Sequence, residues 1–335
     1  MKKILIISSL ILMLIFSGCA SNTEISHKPL RIGVDYFPGW AHIFIAREKG
    51  FFEKNGVDVE IVANRDYLAI QEQFKNKELD GAFMVFADSI YANDQGHNVH
   101  VVYISDRSVT ADVIAAKPEF VNIKDLRGKT VSVEGINSFS HLFLLSILEK
   151  NGMSEGDVFI KDVNALEVPT ALDKGEIVAG HTYGHGKIEA KNKGYKFLAI
   201  AGDAPGIITD ILAFNERIIK ERPGDVKAVV KSLFEAKKFQ ETNREEALQI
   251  LSKAIEDTPN SIADGIDAVD YLDLNENLYA MTETEQEKGE IFSLMESGKL
   301  ISDFFLMRGQ ISIAPNLDEI IEKKFVKELL SEQAR

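Results

Sequence analysis

Strand-like and helix-like segments alternate along the chain from residue 30 onward. Apolar or alternating runs of strand length occupy 30–36, 57–62, 79–86 and 99–104. Helical stretches are expected between them at about 41–56 and 67–77, and Asp88-Ser89 is the predicted cap of the next helix. Strands that alternate with helices predict a largely parallel sheet with helices on both of its faces.

The same alternation restarts near residue 130. Strands are predicted at 130–133, 158–163, 177–183 and 197–201, and helices at 138–151, 168–174 and 187–193. Ser138 is the predicted N-cap of the first helix of this unit, and Gly152 is its predicted stop. Beyond the second unit the pattern becomes mostly helical, with helices expected at 223–241, 244–255 and 283–297.

Two apolar segments connect the units, one at 112–116 and one at 208–213. Two strands that cross between units form a hinge, so we expect an α/β protein of two lobes with a helical C-terminal tail. Lobe one is expected to contain residues 30–111 and 212–335, and lobe two residues 112–211. The tail is expected to pack on lobe one.

Residues 1–18 have the layout of a secretory signal peptide. Two lysines precede an apolar run of 13 residues, and Ser17-Gly18 leads to Cys19. Because a membrane-spanning helix needs about 20 apolar residues, the run is short for an uncleaved anchor helix, which remains the alternative. The ending FSGC resembles a bacterial lipobox, which implies lipidation of Cys19. Residues 19–29 are then the tether, and both alternatives place the mature chain outside the cytoplasmic membrane.

The charge and the cysteine count exclude several classes of protein. The net charge is −14, and an acidic chain without a basic stripe repels nucleic acid, so no nucleic-acid partner is expected. Cys19 is the single cysteine, which excludes an internal disulfide and Cys₄ or Cys₂His₂ zinc sites. His181 and His185 have a metal-like spacing, but no further ligands cluster beside them in the sequence. We therefore expect neither a metal nor a cofactor.

Several blocks of sequence resemble one family of transport proteins. RIGVDYFPGWAHIFIAREKGFFEKNGVDVEIV resembles the opening of nitrate/sulfonate/taurine-type substrate-binding proteins of ABC importers, which include binders of thiamine-pyrimidine precursors. KNKELDGAFMVFADSIYANDQG and PGIITDILAFNERIIKERPGDVKAVVKSLFEA match later blocks, so the resemblance extends over about residues 30–255. It implies a type II periplasmic-binding fold, an ABC permease and ATPase as partners, and a lipid-anchored monomer that is not an enzyme.

The chain departs from this family at one cleft segment. Where relatives read D-A-x-x-T-x-E-P, residues 178–185 read VAGHTYGH, and Thr110 stands where a glycine is usual. Because these positions border the cleft in the family, the identity of the ligand does not transfer with the resemblance.

Candidate ligand-binding residues follow from the position of the predicted strands. Ligands of open α/β sheets bind beyond the carboxyl ends of the strands. That rule selects a set of polar, aromatic and small residues: Asp35, Tyr36, Trp40, Ala87, Asp88, Ser89, Ser108, Asp112, Asn137, Ser138, Phe139, Thr182, Tyr183 and Asp210.

Each of these residues also has a structural alternative. Trp40 either stacks on a flat ligand or covers the core of lobe one. The helix start at Asn137-Ser138 offers N–H groups to an anion or is a plain cap. Asp88 and Asp112 bind a donor on the solute, or serve as a cap and as a hinge hydrogen bond.

Three functions remain open at this point. The first is an importer's binding protein, and the second is a sensory receptor of a membrane kinase or chemoreceptor. The third is an enzyme similar to pyrimidine synthases, which carry a cysteine-rich iron motif that this chain lacks. The aspartates and aromatic residues of the candidate set favour a nitrogenous organic solute, such as a pyrimidine or a zwitterionic amine, over a bare oxyanion. Taurine stays allowed.

Overall fold

A computed structural model describes residues 28–282 and 293–333. The predicted signal peptide, Cys19 and the tether up to residue 27 lie outside the described residues, as does most of the helix predicted at 283–297. Within the described ranges, no helix is both long enough and apolar enough to cross a membrane.

Strands and helices alternate through most of the described chain. The strands are β1 (Leu30–Val34), β2 (Val59–Ala63), β3 (Gly81–Val85), β4 (Val99–Ser108), β5 (Val113–Ala116), β6 (Thr130–Val133), β7 (Phe159–Asp162), β8 (Ala179–Thr182), β9 (Lys196–Ile200), β10 (Thr209–Asn215) and β11 (Val269–Tyr271). The helices are α1 (His42–Glu48), α2 (Phe51–Lys54), α3 (Tyr67–Lys75), α4 (Phe86–Asp94), α5 (Phe139–Lys150), α6 (Val168–Asp173), α7 (Gly184–Asn192), α8 (Glu216–Glu221), α9 (Pro223–Thr242), α10 (Arg244–Ile255), α11 (Pro259–Ile266), α12 (Leu274–Thr282), α13 (Leu294–Met307), α14 (Leu317–Ile320) and α15 (Lys324–Gln333).

The first sheet is mixed rather than largely parallel. Its strand order is β11-β4-β10-β3-β1-β2, and β1 runs parallel to β2 and β3. The strand β10 is antiparallel to both of its neighbours, and β11 is antiparallel to β4. Parallel neighbours need a long crossover connection, whereas β10 enters directly from the other sheet and can take the opposite direction. The predicted α/β class is confirmed, but the prediction of a largely parallel sheet was wrong for these strands.

The second sheet has the order β7-β6-β8-β5-β9. The strand β6 is parallel to β7 and β8, and β5 is antiparallel to β8 and β9. The chain passes between the sheets at 109–112 and 201–208. These segments lie side by side, because the Gly202 N–H donates to the Val109 carbonyl at 2.7 Å and the Ala201 N–H to the Asp112 carbonyl at 2.9 Å. They form a double connection between the two sheets.

N-terminal capping residues were predicted for two helices, and one of these predictions was wrong. Ser138 is the N-cap of α5, where its hydroxyl accepts the Ser140 N–H at 3.1 Å. The helix α4 instead begins at Phe86, with Val85 as N-cap and no side-chain cap bond. Asp88 therefore lies inside the first turn. The apolar run at 79–86 hides this boundary, because the last strand residues and the first helix residue are all buried against the same core.

The C-terminal helices pack mainly around the first sheet. The helix α9 packs on α1 and α15, and α13 packs on α4. After α13 the chain also reaches the side of the second sheet. There Arg308 forms an ion pair with Glu155, and the side-chain amide of Gln310 donates to Oδ1 of Asn137. The tail thus contacts both sheets of the described chain.

Candidate ligand-binding cleft

Five aromatic rings close around a small cavity between the two sheets. The ring centroids of successive pairs are 5.6 Å apart for Phe37 and Trp40, 5.8 Å for Trp40 and Tyr67, and 5.6 Å for Tyr67 and Phe139. The circle is completed at 6.3 Å by Phe139 and Tyr183 and at 6.0 Å by Tyr183 and Phe37. We call these five residues the aromatic cage. The cavity that they line has a volume of about 10 Å³.

The cage combines residues from both sheets, so its shape depends on how the sheets meet. Phe37 and Trp40 follow β1, and Tyr67 begins α3 after β2. Phe139 begins α5 after β6, and Tyr183 follows β8. All five lie beyond the carboxyl ends of strands, where ligands of α/β sheets bind.

Two buried aspartates, Asp210 and Asp106, lie at the wall of the cage on neighbouring strands. Asp210 lines the cavity, and Asp106 lies opposite it on β4. Neither oxygen of Asp106 nor Oδ1 of Asp210 accepts an N–H group of the described residues, and the two carboxyl groups instead hydrogen-bond to each other. Burial raises the pKa of Asp106 to about 8, and burial together with the nearby Asp106 carboxyl raises the pKa of Asp210 well above its usual range. The Asp106–Asp210 pair therefore holds at least one proton at neutral pH.

A second carboxylate network surrounds His181. The Asp112 carboxylate lies 2.9 Å from His181 Nε2, and His181 Nδ1 lies 2.8 Å from the Ser140 hydroxyl. The Glu134 carboxylate accepts the Tyr183 hydroxyl at 2.7 Å and the Ala165 N–H at 3.2 Å. Burial raises the pKa of Glu134. These bonds fix the orientation of one cage ring, Tyr183.

Asp88 connects the two sheets at the edge of the cage. Its carboxylate accepts the Tyr67 hydroxyl and, at 3.2 Å, the Phe139 N–H at the start of α5. Burial raises the pKa of Asp88 to about 6. The anion at this helix N-terminus is thus a side chain of the protein itself, in keeping with the attraction of helix starts for negative charge.

A larger cavity of about 290 Å³ adjoins the cage and shares Phe37 and Tyr183 with it. We call it the outer cavity. Asp35 lines it, and burial raises the pKa of this carboxyl to about 8 although it accepts the Phe37 N–H at 2.8 Å. The rest of its wall carries both signs of charge, from Arg65, His185, Lys187, Lys191, Asp257, Asp264 and Asp267.

The predicted site residues fall into three groups in the structure. The cage cavity is lined by Trp40, Asp112, Phe139, Tyr183 and Asp210. The outer cavity is lined by Asp35 and Tyr36, and again by Tyr183. Neither of these two cavities is lined by Ala87, Asp88, Ser89, Ser108, Asn137, Ser138 or Thr182.

Besides Ser138, whose hydroxyl caps α5, three of the last group use their hydroxyls within the fold. Ser89 donates to the Phe86 carbonyl at 2.7 Å, and Thr182 donates to the Ala165 carbonyl at 2.7 Å. Ser108 accepts the Asp112 N–H at 3.2 Å, beside the double connection between the sheets. A role of these three residues in ligand binding stays a prediction.

The two histidines with metal-like spacing turn to different partners. His181 contacts Asp112 inside the protein, whereas His185 is exposed and lies 3.1 Å from Asp257. In the part of the chain that the structure describes, no three His, Cys, Asp or Glu side chains gather in a way that would hold a metal ion.

Sequence reasoning did not select Phe37, Tyr67 or Asp106. Phe37 and Tyr67 lie in the loop or at the helix start that follows a predicted strand, so the rule used for Trp40 applies to them as well. Asp106 lies in the last part of β4, beyond the predicted strand end at residue 104. The sequence did contain one indication of Asp106, since a polar residue directly follows a strongly apolar strand and therefore lies near a strand end.

Known proteins of similar sequence include binding proteins for named solutes. The chain is 22% identical over 220 residues to the riboflavin-binding protein RibY of Chloroflexus aurantiacus, covering 64% of this chain and 62% of RibY, which is less than two thirds of that relative. It is 25% identical over 261 residues to the formylaminopyrimidine-binding protein of Halalkalibacterium halodurans, covering 75% of this chain and 79% of the relative.

Solved structures with this fold include binding proteins and one enzyme. The nitrate-binding protein NrtA of Synechocystis PCC 6803 superposes with a TM-score of 0.74 at 15% identity, over 92% of this chain and 89% of NrtA. The desulfurization enzyme DSZB superposes with a TM-score of 0.68 at 12% identity, over 92% of this chain and 100% of the enzyme. At such identities the likeness shows the fold alone.

The sequence family gives the firmer assignment, because its match covers more than half of the chain. The family described as NMT1/THI5 like matches residues 38–247, from the turn before Trp40 to the first part of α10. The matched region contains the whole second sheet and the strand β10. It also contains four of the five cage rings, and the fifth, Phe37, directly precedes it. The chain belongs to the NMT1/THI5-like family.

Proposed function

We propose that this protein is an extracytoplasmic solute-binding protein that captures a small nitrogen-bearing organic molecule and delivers it to an ABC importer. The observation that carries the proposal is the aromatic cage, which both sheets build jointly beside buried carboxyl groups. The names of its relatives, which refer to riboflavin and formylaminopyrimidine, are consistent with a nitrogenous solute. Binding rather than catalysis fits the names of most of the structural neighbours.

The charges of the cleft argue against a bare oxyanion. An anion in the cage would face Asp112 and Asp210, and no lysine or arginine lines that cavity. The start of α5, a possible anion site, already gives its Phe139 N–H to Asp88. A solute with N–H donors or a positive nitrogen would instead meet carboxyl oxygens that accept no N–H group of the described residues.

We further propose that the two sheets belong to two lobes that close on the solute. Lobe one would contain residues 30–111 and 212–335, and lobe two residues 112–211, with the segments 109–112 and 201–208 as the hinge. The support for this division is that the second sheet takes its strands from 113–200 and the first sheet from 30–108 and 209–271, so the boundary at residue 211 falls within β10. Because the cage draws rings from both sets, opening the hinge would expose it.

Replacing Trp40 is expected to weaken solute binding by about 1–3 kcal/mol, as for an aromatic anchor in a desolvated pocket. The solute is found first by a thermal-shift screen of amines, pyrimidines, riboflavin, small sulfonates and nitrate, since a saturating ligand stabilises the folded state. Trp40 is the only tryptophan, so its emission should change as the solute binds.

Calorimetry on Trp40→Ala measures the loss of affinity directly. Phe159→Ala is the matched control, because this ring is 64% exposed on the edge of the second sheet. A solute that binds by calorimetry without changing Trp40 emission, and that binds Trp40→Ala normally, would place Trp40 in the core alone.

Replacing Cys19 tests the proposed lipid anchor. In Cys19→Ala the protein is expected to leave the membrane fraction and to accumulate as soluble or uncleaved chain, because the attachment atom is missing. Metabolic labelling with a fatty acid and fractionation measure the change, with Asn22→Ala in the tether as control. Persistent lipid labelling of Cys19→Ala would refute the anchor.

A further inference from the structure

The rings of the cage are inclined to one another instead of stacked. The interplanar angles around the circle are 77°, 33°, 82°, 49° and 85°. None of the five neighbouring pairs is parallel, so the rings do not form one flat stacking surface. Rings that face one point from several directions suit a compact group, above all the cationic nitrogen for which aromatic cages are known.

The polar groups of the cage have the matching sign. Asp210 is 2% exposed and lines the cavity, and Asp106 is fully buried and lies opposite it on β4. Asp112 adds a third carboxylate to the wall, with one oxygen 2.9 Å from His181 Nε2. One lysine of the adjoining cavity, Lys187, donates to the Thr110 carbonyl. A positive charge would therefore enter an acidic site with low dielectric, where ion pairing is strong.

We propose that the cage binds the charged nitrogen of a compact organic cation, a methylated or quaternary ammonium group, with Asp210 as its counter-ion. This proposal rests on the proposed solute-binding function and narrows its ligand class. The remainder of the molecule would extend past Phe37 and Tyr183 into the outer cavity. These two rings come from opposite sheets, so separation of the sheets widens the closed cage, which has a volume of about 10 Å³, to admit the cation.

Binding of a permanent cation also displaces a proton. In the empty cleft the Asp106–Asp210 pair holds a proton because two buried carboxylates repel each other. A quaternary ammonium group brings one positive charge, so the pair loses one proton to solvent and the charge of the site is conserved. The other titratable groups that face the pair are Asp35, Asp112, Asp270, Tyr67, Tyr103 and Tyr271.

Calorimetry with a matched pair of probes tests this inference. Choline and its neutral isostere 3,3-dimethyl-1-butanol have the same shape and differ in charge, and tetramethylammonium presents the cation alone. Choline is expected to bind at least about tenfold more tightly than the alcohol, since the charge carries the recognition. Its binding enthalpy at neutral pH should differ between phosphate and Tris buffers, because the released proton is taken up by the buffer.

Two variants test the roles of the carboxyl group and the ring. Asp210→Asn should weaken choline binding about tenfold or more and should abolish the buffer dependence. Phe139→Leu keeps an apolar side chain and should weaken choline but leave the alcohol unaffected. Asp58→Asn is the control, because this carboxyl lies at an exposed position just before β2.

The outcomes separate this inference from the proposed function. Equal affinities for choline and the alcohol, or no binding of choline and tetramethylammonium, would overturn the cation assignment. If cytosine or riboflavin then changed Trp40 emission, solute binding would stand and a flat ligand would replace the cation. If neither the cations nor any molecule of the wider screen bound, both proposals would fall.

Discussion

The free energy of unfolding is expected to fall by about 2–4 kcal/mol as the pH rises from about 6.5 to about 8. In the folded protein, burial raises the pKa of Asp35 and of Asp106 to about 8 and raises that of Asp210 well above its usual range. In the unfolded chain these carboxyls are ionised above a pH of about 5. The folded state therefore binds more protons in this range, and stability declines with rising pH by about 1.4 kcal/mol per pH unit for each proton retained.

The histidines oppose this effect at the lower end of the pH range. Burial lowers the pKa of His42 to about 3 and also lowers that of His141, so both are neutral in the folded protein. The unfolded chain protonates them as the pH falls through about 6.5, which makes stability rise with pH and opposes the carboxyl effect. Above about pH 7.5 both states hold them neutral, and the slope there reports the carboxyls.

Denaturant titrations at several pH values, followed by circular dichroism, measure the slope. Asp210→Asn should reduce this slope by about 1.4 kcal/mol per pH unit, the contribution of one proton, because the amide cannot titrate. The matched control is Asp58→Asn, at an exposed position just before β2. A stability that is constant or rises over this range would mean that the buried carboxyls are ionised in the folded state.

Loss of the Arg308 side chain is expected to loosen the contact between the two sheets. Arg308 forms a two-point ion pair with Glu155, with Nη2 and Oε1 3.0 Å apart, and its guanidinium lowers the pKa of that carboxyl. It follows α13, which packs on α4 through Phe305 and Tyr91 with ring centroids 6.2 Å apart. The ion pair thus connects a helix of the first-sheet side with the segment before β7. Partly buried two-point pairs of this kind contribute about 1–2 kcal/mol.

A second bond of the same segment reaches the cleft itself. The Gln310 amide donates to the Asn137 side chain, two residues before the cage ring Phe139. Asn137 has a positive φ of 73°, a conformation that asparagine tolerates better than most residues. On the other side, the Ser312 N–H donates to Asp94 of α4 at 3.2 Å. Residues 308–312 therefore lie across the boundary between the sheets, and we expect them to hold the closed form.

Acrylamide quenching of Trp40 measures the opening without any ligand, because the indole is 3% exposed and lies between the sheets. In Arg308→Ala the quenching constant should rise about twofold or more, and small-angle scattering should show a larger radius of gyration, as expected when about 1–2 kcal/mol of closing energy is lost. Lys299→Ala is the control, since its pair with Asp303 lies on the exposed side of the same helix. Unchanged quenching and scattering in Arg308→Ala would show that closure does not depend on this segment.

Local sequence patterns predicted the limits of strands and helices better than the direction in which each strand runs in its sheet. The strand β6 and the helix α10 have the predicted limits, because the spacing of apolar residues defines both within a few positions. The antiparallel direction of β10 could not be read in the same way. Its residues are buried throughout, as in a central parallel strand, and direction depends on where the preceding chain comes from.

Site residues could be predicted from the sequence where the end of the preceding strand could be predicted. Trp40, Phe139 and Tyr183 follow strands that were placed correctly to within a few residues, and the structure brings all three to one cage. Asp106 was missed because Ser105-Asp106-Arg107 has the composition of a loop. It belongs to β4 because β10 and β11 pair with it on both sides, a tertiary effect that local composition does not carry.

The place of β10 between β3 and β4 also determines the order in which the chain can fold. Residues 113–200 supply every strand of the second sheet in one continuous stretch, so this sheet can form as soon as that stretch is available. The first sheet must wait for residues 209–215 to join β3 to β4, and closing so long a loop costs more chain entropy. Until then, the apolar edges of β3 and β4 stay unpaired and open to association with other chains. A newly made chain therefore passes through a stage in which its inserted half is folded and its outer half is the part that needs protection.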